Sequence, residues 1–472
     1  MPTAPLLLAL PCLLAAPPPE PHAAAAARLV GAAMTDGVAW SRLAELADTI
    51  GPRLSGSPGA AAAVEWAARH FRADGLAVRL EPVRVPHWVR GEERAELVGP
   101  VAIPRRLAVT ALGGSPPTPA GGVTAEVIEA RSLEELDALG EKVRGRIVLF
   151  QHAMGPGMAS YGENVGLRGR GPAEAARHGA AAALVRSLST ANFRDPHTGQ
   201  TVFPPGGPRI PAAALAAEDA DLVHRLAGRG PVRVHLALGC GPGDPPEVDS
   251  ANVVAELRGR ERPEEIVLVG AHLDSWDLGA GAIDDGAGVA MVMEAMRAAA
   301  RQPRPPRRTL RAVLFMNEEN GLAGGIAYAD RHRAEVERHV AALEADAGGG
   351  GPTGFLLEAG EGGQALVARL AAPLAWLNAD RVTLGGGGAD ISPLRYLRVP
   401  VVEVVQDTAH YFDVHHGAAD TLDKVDPADL ARAAAALSVM AWGLAEATDV
   451  LPRPPAPSKP PWWLPPPEHS RR

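Results

Sequence analysis

Short apolar segments alternate with helical segments between residues 266 and 345, and this alternation constrains the fold more than any other feature. The segments predicted as strands are 266–271, 309–316 and 339–345, and those predicted as helices are 287–301 and 322–333. Strands that are separated by helices usually pair in parallel, because the connecting helix packs across one face of the sheet. A further strand at 399–405 and a helix at 427–448 extend the pattern. We therefore predict an α/β fold with a largely parallel sheet.

Acidic or imidazole side chains follow each of the three predicted strands at its carboxyl end. The residues are His272 and Asp274, then Glu318 and Glu319, then Asp346. Ligands of open α/β sheets collect at these ends of the strands, and a protein without a site there has no reason to desolvate so many polar groups. His272 and Asp274 alone indicate only a hydrogen-bonded pair, although their spacing also suits a carboxylate that orients an imidazole. Three consecutive strands that end in this way predict a shared site.

Two further segments add acidic and histidine residues. Asp284 and Asp285 are adjacent in a glycine-rich turn that leads into a predicted helix, and His416 follows the last predicted strand. Adjacent acids repel each other unless positive charge lies nearby, and helix capping would account for them if they stood alone. The chain has two cysteines, Cys12 and Cys240, so a thiolate metal site is excluded. A set of histidines and carboxylates predicts zinc, with manganese or cobalt as substitutes.

The order of these motifs resembles that of the co-catalytic zinc exopeptidases of the bacterial leucyl aminopeptidase type. The motifs are His-x-Asp at 272, Asp-Asp-Gly at 284, Glu-Glu at 318, Asp at 346 and His-x-x-x-Asp-Thr at 416. The resemblance extends over residues 28–447. It implies a three-layer α/β/α peptidase domain that holds two zinc ions per chain.

The resemblance also implies a role for each residue. The implied metal ligands are Asp284 as a bridge between the two ions, His272 and Asp346 for one ion, and Glu319 and His416 for the other. His416 is preferred to His415 because the ligand of this family stands four residues before the aspartate of the Asp-Thr pair, here Asp420. The intervening Gly-Ala-Ala at 417–419 departs from the family pattern. A cis peptide bond before Asp285 is also implied.

A mechanism and a class of substrate follow from the same resemblance. Two zinc ions about 3.5–4 Å apart share a water molecule and lower its pKa toward about 7, which makes a bridging hydroxide available at neutral pH. Glu318 is the implied general base, and a solvated loop acid is the other interpretation of this residue. The implied activity is hydrolysis of short unblocked peptides by a dipeptidase, aminopeptidase or carboxypeptidase.

Two other functions remain open from the sequence. The same metals would serve a hydrolase that removes an acyl or amide group from a non-peptide substrate, because specificity depends on pocket walls that the sequence does not place. A binding protein that has lost catalysis would lack a metal ligand or Glu318, and all of these residues are present. The four glycines at 385–388 suit a flexible loop over the site or a plain turn. Trp276 and Tyr411 suit either core packing or a substrate pocket.

The length of 472 residues predicts two domains with terminal extensions. Residues 23–94 are predicted as the first part of the peptidase domain, with helices at 23–50 and 60–74 and a strand at 76–85. An irregular stretch rich in Gly and Pro is predicted at 91–122, across the boundary near residue 95. Residues 95–240 are predicted as an inserted, mostly β module, which the resemblance identifies as a protease-associated domain. His152, His178 and His197 in this module are interpreted as surface or hydrogen-bonded histidines. A Gly- and Pro-rich linker at 239–246 opens the catalytic part, 241–449.

The two ends of the chain differ in composition from the rest. Residues 1–22 are predicted as a signal peptide that directs the protein to the periplasm or outside the cell, and Cys12 would be removed with it. The lack of Lys or Arg before the apolar run leaves a misassigned start or a disordered apolar tail as alternatives. Residues 450–472 are rich in proline and are predicted to be disordered.

Charge and hydropathy limit the partners. A formal net charge of -9 without a Lys/Arg cluster predicts no binding of nucleic acid. Beyond the signal peptide, no other apolar run approaches twenty residues, so no membrane span is predicted. Short peptides are the predicted partners, and a homodimer is compatible with a sequence that does not specify the oligomeric state.

Overall fold

The computed structural model describes residues 21–456, in which sixteen strands form two mixed eight-stranded sheets. The strands are β1 (Ala77–Val89), β2 (Glu93–Gly99), β3 (Arg105–Leu107), β4 (Val109–Ala111), β5 (Val123–Ala130), β6 (Ile147–Phe150), β7 (Ala182–Arg186), β8 (Ala212–Leu215), β9 (Arg233–Leu238), β10 (Gly241–Leu257), β11 (Arg262–His272), β12 (Arg308–Phe315), β13 (His339–Glu344), β14 (Pro352–Glu358), β15 (Val382–Leu384) and β16 (Val401–Gln406). The α-helices are α1 (Pro21–Thr35), α2 (Val38–Glu45), α3 (Pro58–Ala73), α4 (Leu133–Leu139), α5 (Gly157–Gly169), α6 (Gly171–Arg177), α7 (Ala217–Ala227), α8 (Ala287–Ala300), α9 (Ala323–Arg331), α10 (Gly363–Ala371), α11 (Ser392–Tyr396), α12 (Tyr411–Val414) and α13 (Pro427–Glu446).

The first sheet has the strand order β1-β10-β12-β11-β13-β16-β14-β15. Its four central strands, β12, β11, β13 and β16, run parallel to one another. The pairs β1–β10, β10–β12 and β14–β16 are antiparallel, so the sheet is mixed toward its edges. The predicted α/β fold with a largely parallel sheet is therefore confirmed at the centre of the sheet.

Helices cover both faces of this sheet. Along β11, Val267 and Val269 belong to the large apolar core that includes α8 and α13. Leu268, which points to the opposite face, belongs to a separate core with Tyr328 of α9 and Leu394 of α11. Because successive side chains of a strand face opposite sides, this continuous apolar run is what a sheet buried on both faces requires. The first sheet is thus the middle of three layers.

The second sheet has the order β3-β2-β9-β5-β6-β7-β8-β4 and lies in the chain between β1 and β10. Helices α4, α5, α6 and α7 belong to the same stretch, so this unit is α/β and the prediction of a mostly β module was wrong. The prediction of irregular chain at 91–122 was also wrong, because β2, β3 and β4 lie there. These short strands have too few residues to show a clear alternation of apolar side chains.

The predicted linker at 239–246 is largely strand. β10 begins at Gly241 and pairs with β1 from Gly241 opposite Val89 to Glu256 opposite Ala77. On its other side β10 pairs with β12 only from Val253 onward. The early part of β10 therefore lies at a sheet edge, where proline is tolerated because no second strand needs its missing N–H.

Two other predictions differ from the structure. The helix predicted at 23–50 is divided into α1 and α2, and Gly37 between them has φ 64°, which ends a right-handed helix. Strands β14 and β15 and helix α10 were not predicted from the sequence.

The predicted terminal segments fall mainly outside the described residues, which begin at 21 and end at 456. The described part of the predicted tail packs against the layers around the first sheet. Leu451 is buried, and Arg453 donates a hydrogen bond to the carbonyl oxygen of Val336. Among residues 21–456, one helix, α13, is long and apolar enough to cross a membrane, and 78% of its most apolar window is buried in the protein. Such burial is the property of a core helix.

Candidate metal centre

Predicted site residues meet at the carboxyl edge of the first sheet. His272 is the last residue of β11, Asp346 lies two residues beyond β13, and Asp284 lies in the turn that leads into α8. The Nε2 atom of His272 lies 3.1 Å from Oδ1 of Asp284 and 3.7 Å from Oδ1 of Asp346. These three side chains form a first group that could hold a metal ion.

The second oxygen of Asp284 faces a different set of side chains. Its Oδ2 atom lies 3.2 Å from Nε2 of His416 and 3.3 Å from Nε2 of His415. The same Nε2 of His416 lies 3.0 Å from Oε2 of Glu319. Asp284 therefore has one carboxylate oxygen directed toward each of two groups of potential ligands.

His415 and His416 compete for the second group, and their surroundings differ. Their rings stack with centroids 3.6 Å apart. The Nδ1 atom of His416 lies 3.3 Å from the carbonyl oxygen of Thr198, whereas the buried Nδ1 of His415 has no hydrogen-bond partner among the described residues. Burial lowers the pKa of His416, but Glu319 and Asp284 outweigh it and raise that pKa to about 10. Burial lowers the pKa of His415 well below its usual range. Only the orientation of His416 is fixed from both sides of its ring.

Asp274 supports the site in a way that its spacing did not predict. The Nδ1 atom of His272 lies 3.0 Å from the main-chain carbonyl oxygen of Asp274, so the carbonyl rather than the carboxylate orients this imidazole. The carboxylate points elsewhere, and its Oδ1 atom accepts hydrogen bonds from the N–H groups of Asn317, at 2.7 Å, and Glu318, at 3.1 Å. Asp274 lies two residues beyond the end of β11, where its carbonyl faces the ring of His272 and its carboxylate contacts the residues that follow β12.

Two buried carboxylates hold the turn that presents Asp284. Asp285 accepts hydrogen bonds from the N–H groups of His272 and Gly288, at 3.1 and 3.0 Å. Asp420 accepts from the N–H groups of residues 282 and 283, both at 2.8 Å. The peptide bond between Asp284 and Asp285 is cis, as the sequence resemblance implies. The main chain on both sides of Asp284 is thereby fixed, while its own carboxylate faces the histidines.

Glu318 lies among these groups with a perturbed carboxyl group. Burial raises the pKa of Glu318 well above its usual range, and the neighbouring charges of Asp346 and Glu319 act in the same direction. The positive charge of His272 acts against them. Glu318 lies three residues beyond the end of β12, and the hydrogen bonds that the N–H groups of Asn317 and Glu318 donate to the Asp274 carboxylate fix its main chain. A carboxyl group in such surroundings is suited to exchange protons near neutral pH.

Comparison with known proteins identifies the family. Human carboxypeptidase Q is 38% identical over 415 residues, which cover 88% of this chain and 86% of the human protein. The family model described as peptidase family M28 matches residues 252–441, which contain every predicted site residue. The chain belongs to peptidase family M28.

Solved structures of similar proteins agree with this assignment. An M28 peptidase precursor from Shewanella amazonensis is 37% identical, with a TM-score of 0.88, and the match covers 93% of this chain and 99% of that one. A zinc aminopeptidase from Bacillus subtilis shares 21% identity with a TM-score of 0.62, over 86% of this chain and 94% of that one. The second likeness shows a shared fold.

Arg53 is a buried residue of this M28 chain that the sequence did not single out. Its guanidinium group donates short hydrogen bonds to three main-chain carbonyl oxygens, those of Leu273 at 2.7 Å, Ala280 at 2.6 Å and Gly281 at 2.8 Å, and a longer one to that of Gly51 at 3.4 Å. Ala280 and Gly281 belong to the turn before Asp284, and Leu273 follows His272. Arg53 therefore ties the loop that precedes α3 to the segments of His272 and Asp284, two of the three segments that carry the first group of ligands.

Replacing Arg53 by methionine is expected to lower the free energy of unfolding by about 3 kcal/mol, because three buried carbonyl groups would lose a charged donor. Urea unfolding followed by circular dichroism measures this change. The control is Arg333→Met, which removes an exposed ion pair with Asp330 and should leave the urea midpoint unchanged. Equal midpoints for the two variants would show that Arg53 does not hold the loop.

The second sheet's unit also reaches the centre of the M28 chain. Nη1 of Arg168, on α5, donates to the carbonyl oxygen of Thr198 at 3.1 Å and lies 3.2 Å from Nδ1 of His416. Nη2 of Arg168 donates to the hydroxyl of Tyr161 at 2.6 Å. His197, interpreted from the sequence as a surface or hydrogen-bonded histidine, is buried beside this contact and hydrogen-bonds the main chain of His415, and burial lowers its pKa to about 3. Arg168 and His416 are 248 residues apart, and no signal in one sequence connects them.

The structure shows where the residues lie whose role the sequence left open: Trp276, Tyr411 and the glycines at 385–388. Trp276 is buried, and its ring centroid lies 5.8 Å from that of His416, so it packs on the centre. Tyr411 lines a larger cavity beside the centre. In the loop at 385–388, a Cβ added to Gly387 would collide with the carboxylate of Glu403, so a larger residue there would displace that side chain. The loop lies against buried acids near Asp346, whose charge adds to the effect of burial in raising the pKa of Glu403 to about 7.

Proposed function

We propose that this chain is a zinc-dependent exopeptidase that hydrolyses short unblocked peptides. The residues that would hold two zinc ions are His272, Asp284, Glu319, Asp346 and His416, with Glu318 as the general base. The observation that carries the proposal is the way both imidazole rings present Nε2 to carboxylate oxygens.

The donor atoms suit a cation between them. A carbonyl oxygen only accepts hydrogen bonds, so Nδ1 of His272, which faces the carbonyl of Asp274, must carry a proton. In the neutral ring, Nε2 then has a lone pair that faces the oxygens of Asp284 and Asp346. Nδ1 of His416 faces both the carbonyl oxygen of Thr198 and the guanidinium group of Arg168, and its Nε2 faces the carboxylate oxygens of Asp284 and Glu319. Facing lone pairs repel unless a cation lies between them, and nitrogen with oxygen ligands in a buried site suits zinc.

The residues of the chain have distinct roles in the proposed reaction. Bound zinc supplies a Lewis acid that polarises a carbonyl group and acidifies water. Glu318 accepts the proton of the attacking water and passes it to the leaving amine, for which a carboxyl pKa raised by burial is suited. Asp274 fixes the main chain of Glu318 through its N–H group, and Asp285 and Asp420 hold the turn of Asp284. Trp276 covers the centre from the side of His416 and limits access of bulk water.

Hydrolysis of a panel of unblocked dipeptides tests this function. We expect the purified, zinc-loaded chain to release amino acids from unblocked dipeptides and not from the same peptides with an acetylated amine. Parallel samples with an amidated C-terminal carboxylate show whether hydrolysis also requires the free carboxylate. Treatment with a chelator should abolish release, and added zinc should restore it. If the zinc-loaded chain cleaves neither the free nor the blocked peptides, the exopeptidase proposal is wrong.

Arg168→Met is expected to weaken zinc binding about 10–100-fold, because groups that orient a ligating histidine contribute this much to metal affinity. The affinity is measured by competition with a chromophoric chelator, independently of activity. The control is Arg170→Met, two residues along at the exposed junction of α5 and α6. Equal affinities for the two variants would show that Arg168 does not support His416.

Two assignments from the sequence are carried forward as part of the proposal. The unit that holds the second sheet corresponds to a protease-associated domain, and residues 1–22 direct export. Mass spectrometry of the chain recovered from a periplasmic or culture fraction would test export, with an N-terminus near residue 23 as the expected result. An intact Met1 on a chain confined to the cytoplasm would contradict it.

A further inference from the structure

A cavity of about 430 Å³ opens directly beside the metal centre. Its lining includes Ile283, Ala347 and Val414, which are the chain neighbours of Asp284, Asp346 and His415. A peptide whose scissile bond lies at the centre would therefore place one of its side chains in this cavity. The volume is in the range of small-molecule sites in proteins.

The inner walls of the cavity are apolar. Ile283, Val414 and the ring of Tyr411 form them together with the main chain of residues 348–350. A Cβ added to Gly348 would lie 2.7 Å from the Tyr411 ring, so glycine keeps this wall flat. Phe193, from the segment between β7 and β8, stands at the mouth with 60% of its surface exposed. An exposed aromatic ring at the mouth of an apolar cavity suits contact with the stem of a bound side chain.

The rim of the same cavity is acidic. Its acidic residues are Asp407, Asp413, Asp423, Asp426 and Asp429, and Lys424 and His410 lie among them. Lys424 pairs with Asp423, and His410 pairs with Asp413 at 2.9 Å. Asp429 pairs with Arg432. Within residues 21–456, neither Asp407 nor Asp426 forms an ion pair, and their carboxylates accept only main-chain N–H groups.

We propose that this cavity selects a substrate residue whose side chain has an apolar stem and a cationic end, as in lysine or arginine. The stem lies on Ile283, Val414 and Phe193, and the cation reaches the unpaired carboxylates of Asp407 and Asp426 at the rim. A substrate carboxylate in the same place is disfavoured by the like charges. This inference rests on the proposed exopeptidase function and adds the class of side chain to it.

Three matched side chains test the proposal with the full, zinc-loaded chain. Lysine, norleucine and glutamate are compared in dipeptides with alanine, in both the first and the second position, because norleucine matches the lysine stem without the charge. At one of the positions we expect kcat/KM for lysine to exceed that for norleucine about fivefold, and glutamate to be the poorest. The preference for lysine should shrink at high salt, because the rim is open to solvent.

Substitutions in the cavity separate the stem from the charge. Asp407→Asn should reduce the ratio of kcat/KM for lysine over norleucine, whereas Asp449→Asn, an exposed acid away from the cavity, should leave this ratio as in the wild type. Phe193→Ala should lower kcat/KM for lysine and norleucine peptides together. Equal rates for the three side chains at both positions would overturn the pocket assignment and leave the exopeptidase function intact. If the zinc-loaded chain cleaves no dipeptide, both proposals fall.

Discussion

Replacing Glu318 by glutamine is expected to lower kcat for dipeptide hydrolysis about 10³-fold, because glutamine keeps the shape of the side chain but cannot accept a proton from water. Zinc content should remain as in the wild type, since Glu318 is not among the proposed ligands. KM should change little, because the loss concerns proton transfer rather than binding. The kinetics are measured with an unblocked dipeptide, and zinc is measured by mass spectrometry of the metal.

The matched control for this prediction is Glu337→Gln, at an exposed acid away from the centre. That variant should retain the wild-type kcat. A Glu318→Gln variant that keeps its zinc and remains within threefold of the wild-type kcat would remove Glu318 from the proton transfer. A variant that loses zinc would instead assign Glu318 to the metal ligands.

Asp284→Asn should affect both groups of ligands at once. One oxygen of Asp284 lies 3.1 Å from His272, and the other lies 3.2 Å from His416, so loss of the negative charge weakens each group. We expect zinc content to fall from two ions per chain to one or fewer, and hydrolysis to fall by at least about 10³-fold. The control is Asp48→Asn in the exposed turn after α2.

Circular dichroism and urea unfolding would show that the Asp284→Asn chain is folded. The fold is expected to persist, because Arg53, Asp285 and Asp420 hold the main chain of this region without the Asp284 carboxylate. A folded Asp284→Asn chain with two bound zinc ions and wild-type kcat would contradict the bridging role.

The catalytic half of the fold could be predicted from the sequence because its strands are buried on both faces. Apolar runs such as 266–271 and 309–316 lie in β11 and β12, and the polar residues that follow them lie at the sheet edge. β10 could not be predicted in the same way. Its first half lies at an edge of the sheet, where Pro and Gly are permitted, and such a composition in a sequence otherwise indicates a linker.

Residues that follow strand ends, such as His272 and Asp346, could be placed at one edge of the sheet from the topology of parallel strands. Asp284 and His416 lie farther from the strands, and only the family resemblance assigned them as ligands. Arg53 and Arg168 could not be found, because their contacts depend on how distant loops pack, and spacing along one chain does not report that packing. The contact between the main-chain carbonyl of Asp274 and the ring of His272 could not be predicted either, because every residue has such a carbonyl and the sequence does not show which one is used.

The second sheet's unit contributes to the centre from one side, and this links the two halves of the chain in function. Arg168 and Thr198 contact His416, and Phe193 stands at the mouth of the cavity beside the centre. Ion binding and choice of substrate are therefore expected to change together when this unit is altered. The peptidase sheet alone does not complete the surroundings of His416.

The most direct test of the central claim is a zinc titration of the metal-free chain, with bound zinc and dipeptide hydrolysis measured on the same samples. We predict that two equivalents bind and that activity reaches its maximum as the second equivalent is taken up, because Asp284 faces two groups of ligands. Maximal activity without zinc, or a chain that binds no zinc at micromolar concentrations, would contradict the assignment of this centre as a zinc-dependent peptidase.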